Sequence, residues 1–120
     1  MQRFIRTVIY VLLGIFIFSA SAPAAEKKIC IGMIIKEPSA PYIQAFIKAA
    51  EEKAAELGVD IMIRDGEANS MKIMELIDTF MIQGIDAFIL GGAVDLRALV
   101  PGILRLNEAG IPVAALDTSP

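Results

Sequence analysis

A carboxylate, a hydroxyl and an aromatic ring in this sequence have the chemistry needed to hold a neutral polyol. Asp117 directly follows an apolar segment, so the end of a strand would hold its carboxylate rigidly, and Thr118 adds a hydroxyl beside it. Tyr42 offers an aromatic face at the start of an amphipathic segment. A carboxylate accepts hydrogen bonds from vicinal hydroxyls, while an aromatic face packs against the C–H side of a sugar ring. The alternative for any one of these residues is an ordinary polar position in a loop.

Three further residues are candidates for the same site. Lys36 and Glu37 place opposite charges at its rim, where a solvated pair of side chains is the alternative interpretation. Gly92 belongs to a Gly91-Gly92 pair that is typical of a tight turn and too short to indicate phosphate binding. We include Gly92 among the candidate ligand-binding residues.

Several kinds of chemistry lack the residues they need. The chain has no histidine and one cysteine, so it has no Ser-His or Cys-His nucleophile pair, imidazole metal site or thiolate cluster. The turn at residues 36–41 contains no glycine and therefore no dinucleotide fingerprint or Walker loop. We expect no cofactor and no metal, and an enzyme is the least favoured class. Once Arg3 and Arg6 are left out, nine bases face fourteen acids, and this acidic balance argues against a nucleic-acid partner.

The amino terminus, up to Ala24, has the organisation of a secretory signal peptide. Arg3 and Arg6 precede an apolar run at residues 7–18, and a stretch of small residues follows at 19–25. Cleavage is expected after Ala24 or Ala25, which would place the protein in the periplasm. The alternative is an uncleaved inner-membrane anchor at residues 7–25, because a bilayer-spanning helix needs about 20 residues.

Apolar segments alternate with longer amphipathic ones, and both must position the candidate site. Strands are predicted at residues 29–35, 59–63, 86–90 and 112–116. The first segment is apolar throughout, as expected for a strand that is covered on both faces. Cys30 lies inside it and is expected to behave as a small buried hydrophobe.

The segments between the strands predict three helices. The first has Ser39 as its expected cap and Pro41 in its first turn. Its buried face is predicted to contain Ile43, Phe46, Ile47, Ala50, Ala54 and Leu57. The second helix is predicted at about residues 70–83. The third is expected to begin at Pro101 and to end at Ala109, because a proline would break a helix that began at Asp95.

A short repeat supports this alternation. The segments 57–60, 83–86 and 109–112 are equally spaced, and each places a glycine before the start of a strand. A glycine in this position is typical of a helix that ends in a left-handed residue. Three such exits predict three βαβ crossovers, and hence an open parallel sheet of order 2-1-3-4 with helices on both faces. The segments 36–41, 65–69, 91–94 and 117–120 would then meet at the carboxyl edge, where such sheets bind ligands.

Several of these segments also resemble a known family. They are the strand end Gly32-Met33-Ile34-Ile35, the helix start Pro41-Tyr42, the segment Gly84-Ile85-Asp86-Ala87, and the exit Gly110-Ile111-Pro112-Val113 that leads to Asp117. Together, from Lys28 to Pro120, they resemble the N-terminal, Rossmann-like lobe of type I periplasmic binding proteins. These are the ribose- and galactose-binding proteins, which are related to lactose-repressor sensor domains.

The resemblance implies roles for two of the candidate residues. In that family the loop after the first strand supplies ring-stacking aromatics and an amide, and an Asp after the fourth strand binds sugar hydroxyls. Tyr42 and Asp117 match those positions. Ala40 and Ile43 replace an amide and a second aromatic, and Thr118 replaces an arginine, so ribose itself is not implied.

The resemblance also implies a function and a domain organisation. We expect a periplasmic solute-binding protein that passes a sugar-like molecule to an ABC-type transporter permease or a chemoreceptor. The alternative is a membrane-anchored extracytoplasmic sensor domain. Family members have two lobes and are more than twice as long, so residues 25–120 are expected to be the first part of an N-terminal lobe, in a fragment of a longer protein.

Overall fold

The strands and helices of this protein alternate along the chain. The computed structural model describes residues 26–91 and 95–116. Its elements are β1 (Cys30–Ile35), α1 (Pro41–Leu57), β2 (Asp60–Asp65), α2 (Ser70–Gln83), β3 (Ala87–Gly91), α3 (Leu96–Glu108) and β4 (Val113–Leu116). All strand pairs are parallel and the sheet order is β2-β1-β3-β4. This confirms the predicted topology, with β1 in the interior of the sheet.

Two hydrophobic clusters cover opposite faces of the sheet. The α1 face contains Met33, Ile35, Ile43, Phe46, Ile47, Ala50, Ile61, Ile63 and Ile89. The face covered by α2 and α3 contains Ile34, Ile73, Ile77, Phe80, Ile85, Phe88, Leu90, Leu99 and Leu106, with Cys30 half-buried beside them. Successive residues of β1 therefore point into different clusters, because side chains alternate along a strand. Because both faces of β1 are covered in this way, its sequence is apolar throughout.

The helix exits have the backbone conformation that the repeat predicts. Gly58, Gly84 and Gly110 have φ values of 69°, 76° and 74°. After each glycine, the next N–H donates to a carbonyl five residues back, for example from Ile85 to Phe80 over 3.3 Å. These bonds satisfy carbonyls that the helix leaves without a partner.

The prediction for α3 was wrong at its start. The helix is continuous from Leu96 to Glu108 and contains Pro101, and its cap is Asp95, whose carboxylate accepts from the Arg97 N–H over 2.9 Å. Proline at this position removes one backbone hydrogen bond and crowds the previous turn. Leu99 and Leu106, however, are completely buried on either side of it. Burying two leucines stabilises by about 1.5–3 kcal/mol each, which outweighs the cost of the proline.

The start of α1 also differs from the prediction. Its N-cap is Ala40, which makes no side-chain capping bond, and Pro41 is the first helical residue. Ser39 lies one position too early to cap the helix. At the other end, Leu57 was predicted to be buried but is 62% exposed, as the last residue before the chain turns at Gly58.

The candidate signal peptide, residues 1–24, lies outside the described residues. Within the two described ranges, no helix is both long enough and apolar enough to cross a membrane.

Candidate ligand-binding site

The four strands end at the same level. Ile35, the last residue of β1, pairs in register with Asp65 of β2 and with Gly91 of β3. Gly91 in turn pairs with Leu116, the last residue of β4. The carboxyl ends of the strands therefore form one edge, which is where open parallel sheets bind ligands.

A cleft of about 310 Å³ opens at this edge. It is lined by Lys36, Tyr42, Ile43, Phe46, Gly91 and Leu116. The lining residues come from three strand ends and from the first two turns of α1. Small-molecule sites range over roughly 300–1,000 Å³, so the cleft is at the lower end of that range and fits one small ligand.

Gly91 lies beneath the cleft on the α1 face of the sheet. A Cβ at this position would lie 3.4 Å from Ile35 Cγ2 and from Met33 Cε, both of which belong to the α1 cluster, and 3.2 Å from the Ile34 carbonyl oxygen. Neighbouring atoms therefore lie close to Gly91, and its lack of a side chain leaves the floor of the cleft open.

The cleft combines one charge with several apolar groups. Among its described lining residues, Lys36 carries the one charged side chain, and it is half-buried. Tyr42 is 58% exposed at the mouth, whereas Ile43 is buried in the α1 cluster and Phe46 is half-buried against it. An exposed aromatic ring above an apolar wall can pack against the C–H face of a ring-shaped ligand.

The loop between β1 and α1 is held by its own hydrogen bonds. The Ala40 N–H donates to the Glu37 carbonyl over 3.0 Å, and Glu37 has a φ of 52°, in the left-handed region. The Gln44 side-chain amide donates to the Pro38 carbonyl. These bonds fix the start of α1, and therefore the position of Tyr42. The Glu37 side chain is exposed and does not line the cleft.

The loop after β2 reaches the same edge but takes no part in the cleft. Asp65 accepts from the Glu67 N–H over 2.7 Å, and Asn69 caps α2 by accepting from the N–H groups of Met71 and Lys72. Asp65 Oδ1 and Asn69 Oδ1 are therefore engaged in local structure. Glu67 and Ala68 both have positive φ values, 52° and 50°.

The structure brings together two of the six candidate residues, Lys36 and Tyr42. Gly92, Asp117 and Thr118 lie outside the described residues, although Gly91 and Leu116, which immediately precede two of them, line the cleft. The roles of all six as ligand contacts stay predictions.

Four lining residues were not among the predicted ligand contacts: Ile43, Phe46, Gly91 and Leu116, although Gly91 begins a segment that was predicted to reach the carboxyl edge. The first two were predicted as core residues of α1, which they also are. The available signal was that the buried face of α1 begins at the carboxyl edge, so its first apolar residues reach the site. Within the described ranges, no cluster of three or more acidic or thiol side chains is placed to hold a metal ion.

Comparisons with known proteins agree on one family. The model of the periplasmic binding protein domain family matches residues 31–120. The ribose import binding protein RbsB of Bacillus subtilis is 26% identical over 94 residues, which are 78% of this chain and 30% of that protein. The chain thus spans about a third of the length of this curated relative.

Two solved structures have the same fold and similar coverage. The Caulobacter myo-inositol binding protein, bound to myo-inositol, is 27% identical with a TM-score of 0.68, over 74% of this chain and 30% of that one. An ABC transporter periplasmic solute binding protein from Actinobacillus succinogenes, with bound D-allose, is 26% identical with a TM-score of 0.70, over 75% and 32% of the two chains.

These matches confirm the resemblance to type I periplasmic binding proteins and the α/β fold. The family consists of binding proteins rather than enzymes, and membership implies a periplasmic location. The chain belongs to the periplasmic binding protein domain family, and residues 31–120 are the part that matches it.

Proposed function

We propose that this protein binds a sugar or a sugar-like small molecule in the cleft at the carboxyl edge of its sheet. The observation that carries the proposal is the arrangement of Lys36, Tyr42 and Leu116 around one cleft of about 310 Å³. Tyr42 presents its ring to the ligand, and Lys36 donates to a hydroxyl or ring oxygen. Ribose, myo-inositol and D-allose, which the names of the relatives include, support this ligand class.

Three residues beyond the described ranges complete the proposed site. Asp117 and Thr118 follow the lining residue Leu116 in the sequence, and Gly92 follows Gly91. We propose that Asp117 accepts hydrogen bonds from ligand hydroxyls and that Thr118 and Gly92 contact the ligand beside it. Glu37 is exposed, and its proposed contact needs the ligand to extend to the rim.

The proposed partner is a membrane transporter that receives the ligand. The relatives are components of import systems, so they favour a transporter permease over a chemoreceptor. We also propose that residues 1–24 direct export and are removed. N-terminal sequencing of the exported protein should then find Ala25 or Glu26 first. An intact Met1 would instead favour a membrane-anchored sensor.

The test of ligand binding is a titration of the purified protein with pentoses, hexoses and inositols, monitored by calorimetry and by chemical-shift changes. The cleft is open on the side of Tyr42 and Leu116, which are 58% and 40% exposed. A hydrogen bond made there replaces one to water, for a net of roughly 0.5–1.5 kcal/mol. We therefore expect millimolar dissociation constants.

Matched variants identify the site. Tyr42→Ala should weaken binding, whereas Tyr42→Phe, which keeps the ring, should preserve most of it. Asp117→Ala should weaken binding more than Tyr42→Ala. Absence of binding by the whole panel would contradict the proposed function, and micromolar binding would contradict the open site.

A further inference from the structure

Gly91, the last residue of β3, forms the floor of the cleft. Of the two residues before it, Ile89 belongs to the α1 cluster and Leu90 to the cluster on the other face of the sheet. Because side chains alternate along a strand, a side chain at position 91 would point to the α1 face, as Ile89 does. Ile43 and Phe46 line the cleft on that face. A side chain at position 91 would therefore enter the cleft from below.

The fold explains the other glycines in the described part of the chain. The three at the helix exits have a positive φ, which a residue with a side chain rarely adopts. At three more, a Cβ would collide with a side chain of the core, at 2.9 Å for Gly32, 2.7 Å for Gly66 and 2.8 Å for Gly102. The core is close-packed, so these positions have no room for a larger residue.

Neither reason applies to Gly91. Its φ does not lie in the left-handed region. A Cβ would lie 3.2 Å from the Ile34 carbonyl oxygen and 3.4 Å from the nearest atoms of Ile35 and Met33, so an alanine fits after a shift of a few tenths of an ångström. Glycine also weakens a strand, because it loses more chain freedom on folding and packs no side chain. The described packing around Gly91 therefore does not require a glycine.

Glycine in a strand can mark a point where a ligand approaches the backbone closely. We infer that Gly91 is a specificity-determining residue, whose lack of a side chain lets the ring of a sugar-like ligand lie directly against the backbone of β3. This inference rests on the proposed function, because it concerns the ligand of the same cleft.

The dimensions of the cleft make its floor decisive. Gly91 is buried at the bottom, so a ligand that reaches it also contacts Ile43 and Phe46 of α1. A volume of about 310 Å³ leaves little spare room around a single ring. One added carbon at the floor would displace the ring from these contacts, and dispersion attraction falls steeply with such a gap.

Gly91→Ala should separate binding from stability. The probes are D-ribose, D-allose and myo-inositol, and chemical-shift titrations of the isotope-labelled protein give their dissociation constants in the millimolar range. The variant should bind each ligand of wild type at least about fivefold more weakly, which is the low end of the effect of an extra methylene in a packed site. Its midpoint in urea should stay close to that of wild type, because replacing a flexible glycine offsets the close contact with Ile34.

Gly32→Ala is the matched control, since it makes the same substitution in the neighbouring strand. Its Cβ would meet Phe80 and Ile85, which belong to the cluster on the face opposite the cleft. This variant should lower the urea midpoint and leave the dissociation constants of the folded protein unchanged. The two variants should thus differ in both measurements, whereas a purely structural role of Gly91 would give them the same pattern.

The outcomes separate the two proposals. Unchanged affinity in folded Gly91→Ala would overturn the inference and leave the proposed function intact. A urea midpoint lowered as far as in Gly32→Ala would also overturn the inference, because packing would then require the glycine. No binding of any probe by the wild-type protein would overturn the proposed function, and the inference with it.

Discussion

The carboxylate of Asp86 accepts a hydrogen bond from the backbone N–H of Cys30, over a distance of 2.9 Å. It also accepts from Lys27 Nζ over 2.8 Å, so one side chain joins the residues before β1 to the start of β3. The hydrogen bond from Lys27 and, after it, the Cys30 N–H lower the pKa of Asp86 from its ordinary value of 3.8. These two hydrogen bonds to Asp86, which we call the Asp86 clamp, lie at the amino edge of the sheet, opposite the cleft.

Asp86→Asn should make the protein less stable at neutral pH and less sensitive to acid. A carboxyl group whose pKa is lowered by folding stabilises the fold above its unfolded pKa, and this contribution is lost as the pH falls through the folded pKa. The wild-type free energy of unfolding should therefore decrease below about pH 4, and that of the variant should decrease less. Urea denaturation from pH 7 to pH 2 measures both. Asp60→Asn is the control, because the ion pair of Asp60 with Lys28 is exposed on both sides; an equal effect at both positions would contradict the clamp.

Gly84→Val should destabilise the protein by roughly 1 kcal/mol or more, because a side chain with a Cβ is strained in the left-handed region. A Cβ at Gly84 would have no atom within 4 Å, so the cost comes from the backbone alone. Gly84→Asn should cost less, since asparagine tolerates this conformation. Urea denaturation compares the two. A valine variant within a few tenths of a kcal/mol of wild type would refute the strained cap.

Gly32→Ala tests the packing of the interior strand. The added Cβ would lie 2.9 Å from Phe80 Cδ2 and 3.1 Å from Ile85 Cδ1. Overpacking of this kind costs about 1–3 kcal/mol. In a Phe80→Leu background the ring is gone, so the same alanine should cost less, with a coupling energy above about 0.5 kcal/mol. Additive free energies of unfolding in this double-mutant cycle would contradict the close contact.

Pro101→Ala should stabilise the protein by about 1 kcal/mol or more. Alanine restores the backbone donor that the helix interior lacks, and this gain exceeds the loss of the rigidity that proline gives to the unfolded chain. Pro41→Ala is the control, because a proline at the first helical position replaces an N–H that has no partner within the helix. Thermal unfolding measures both. A destabilised Pro101→Ala variant would show that α3 depends on its proline.

The sequence alone determined the topology of this protein. The helices end at glycines in the left-handed conformation, Gly58, Gly84 and Gly110. These helix ends depend on residues only a few positions apart, and they predict every crossover. The apolar run of β1 predicts its interior position, because only a strand with both faces covered needs no polar alternation. The helix at residues 70–83 was also predicted correctly, because its apolar residues recur at helical spacing.

Only the tertiary structure decided what depends on residues far apart in the chain. Pro101 predicts a break, and the buried contacts of Leu99 and Leu106 with distant elements hold the helix together across it. The cleft needs the register that sets Gly91 beside Leu116, and it needs α1 to place Phe46 above them. The hydrophobic periodicity of the sequence indicates the face of a helix or strand on which a side chain lies. The strand pairing decides which side chain from another element it meets, because that distance is set by hydrogen bonds across the sheet.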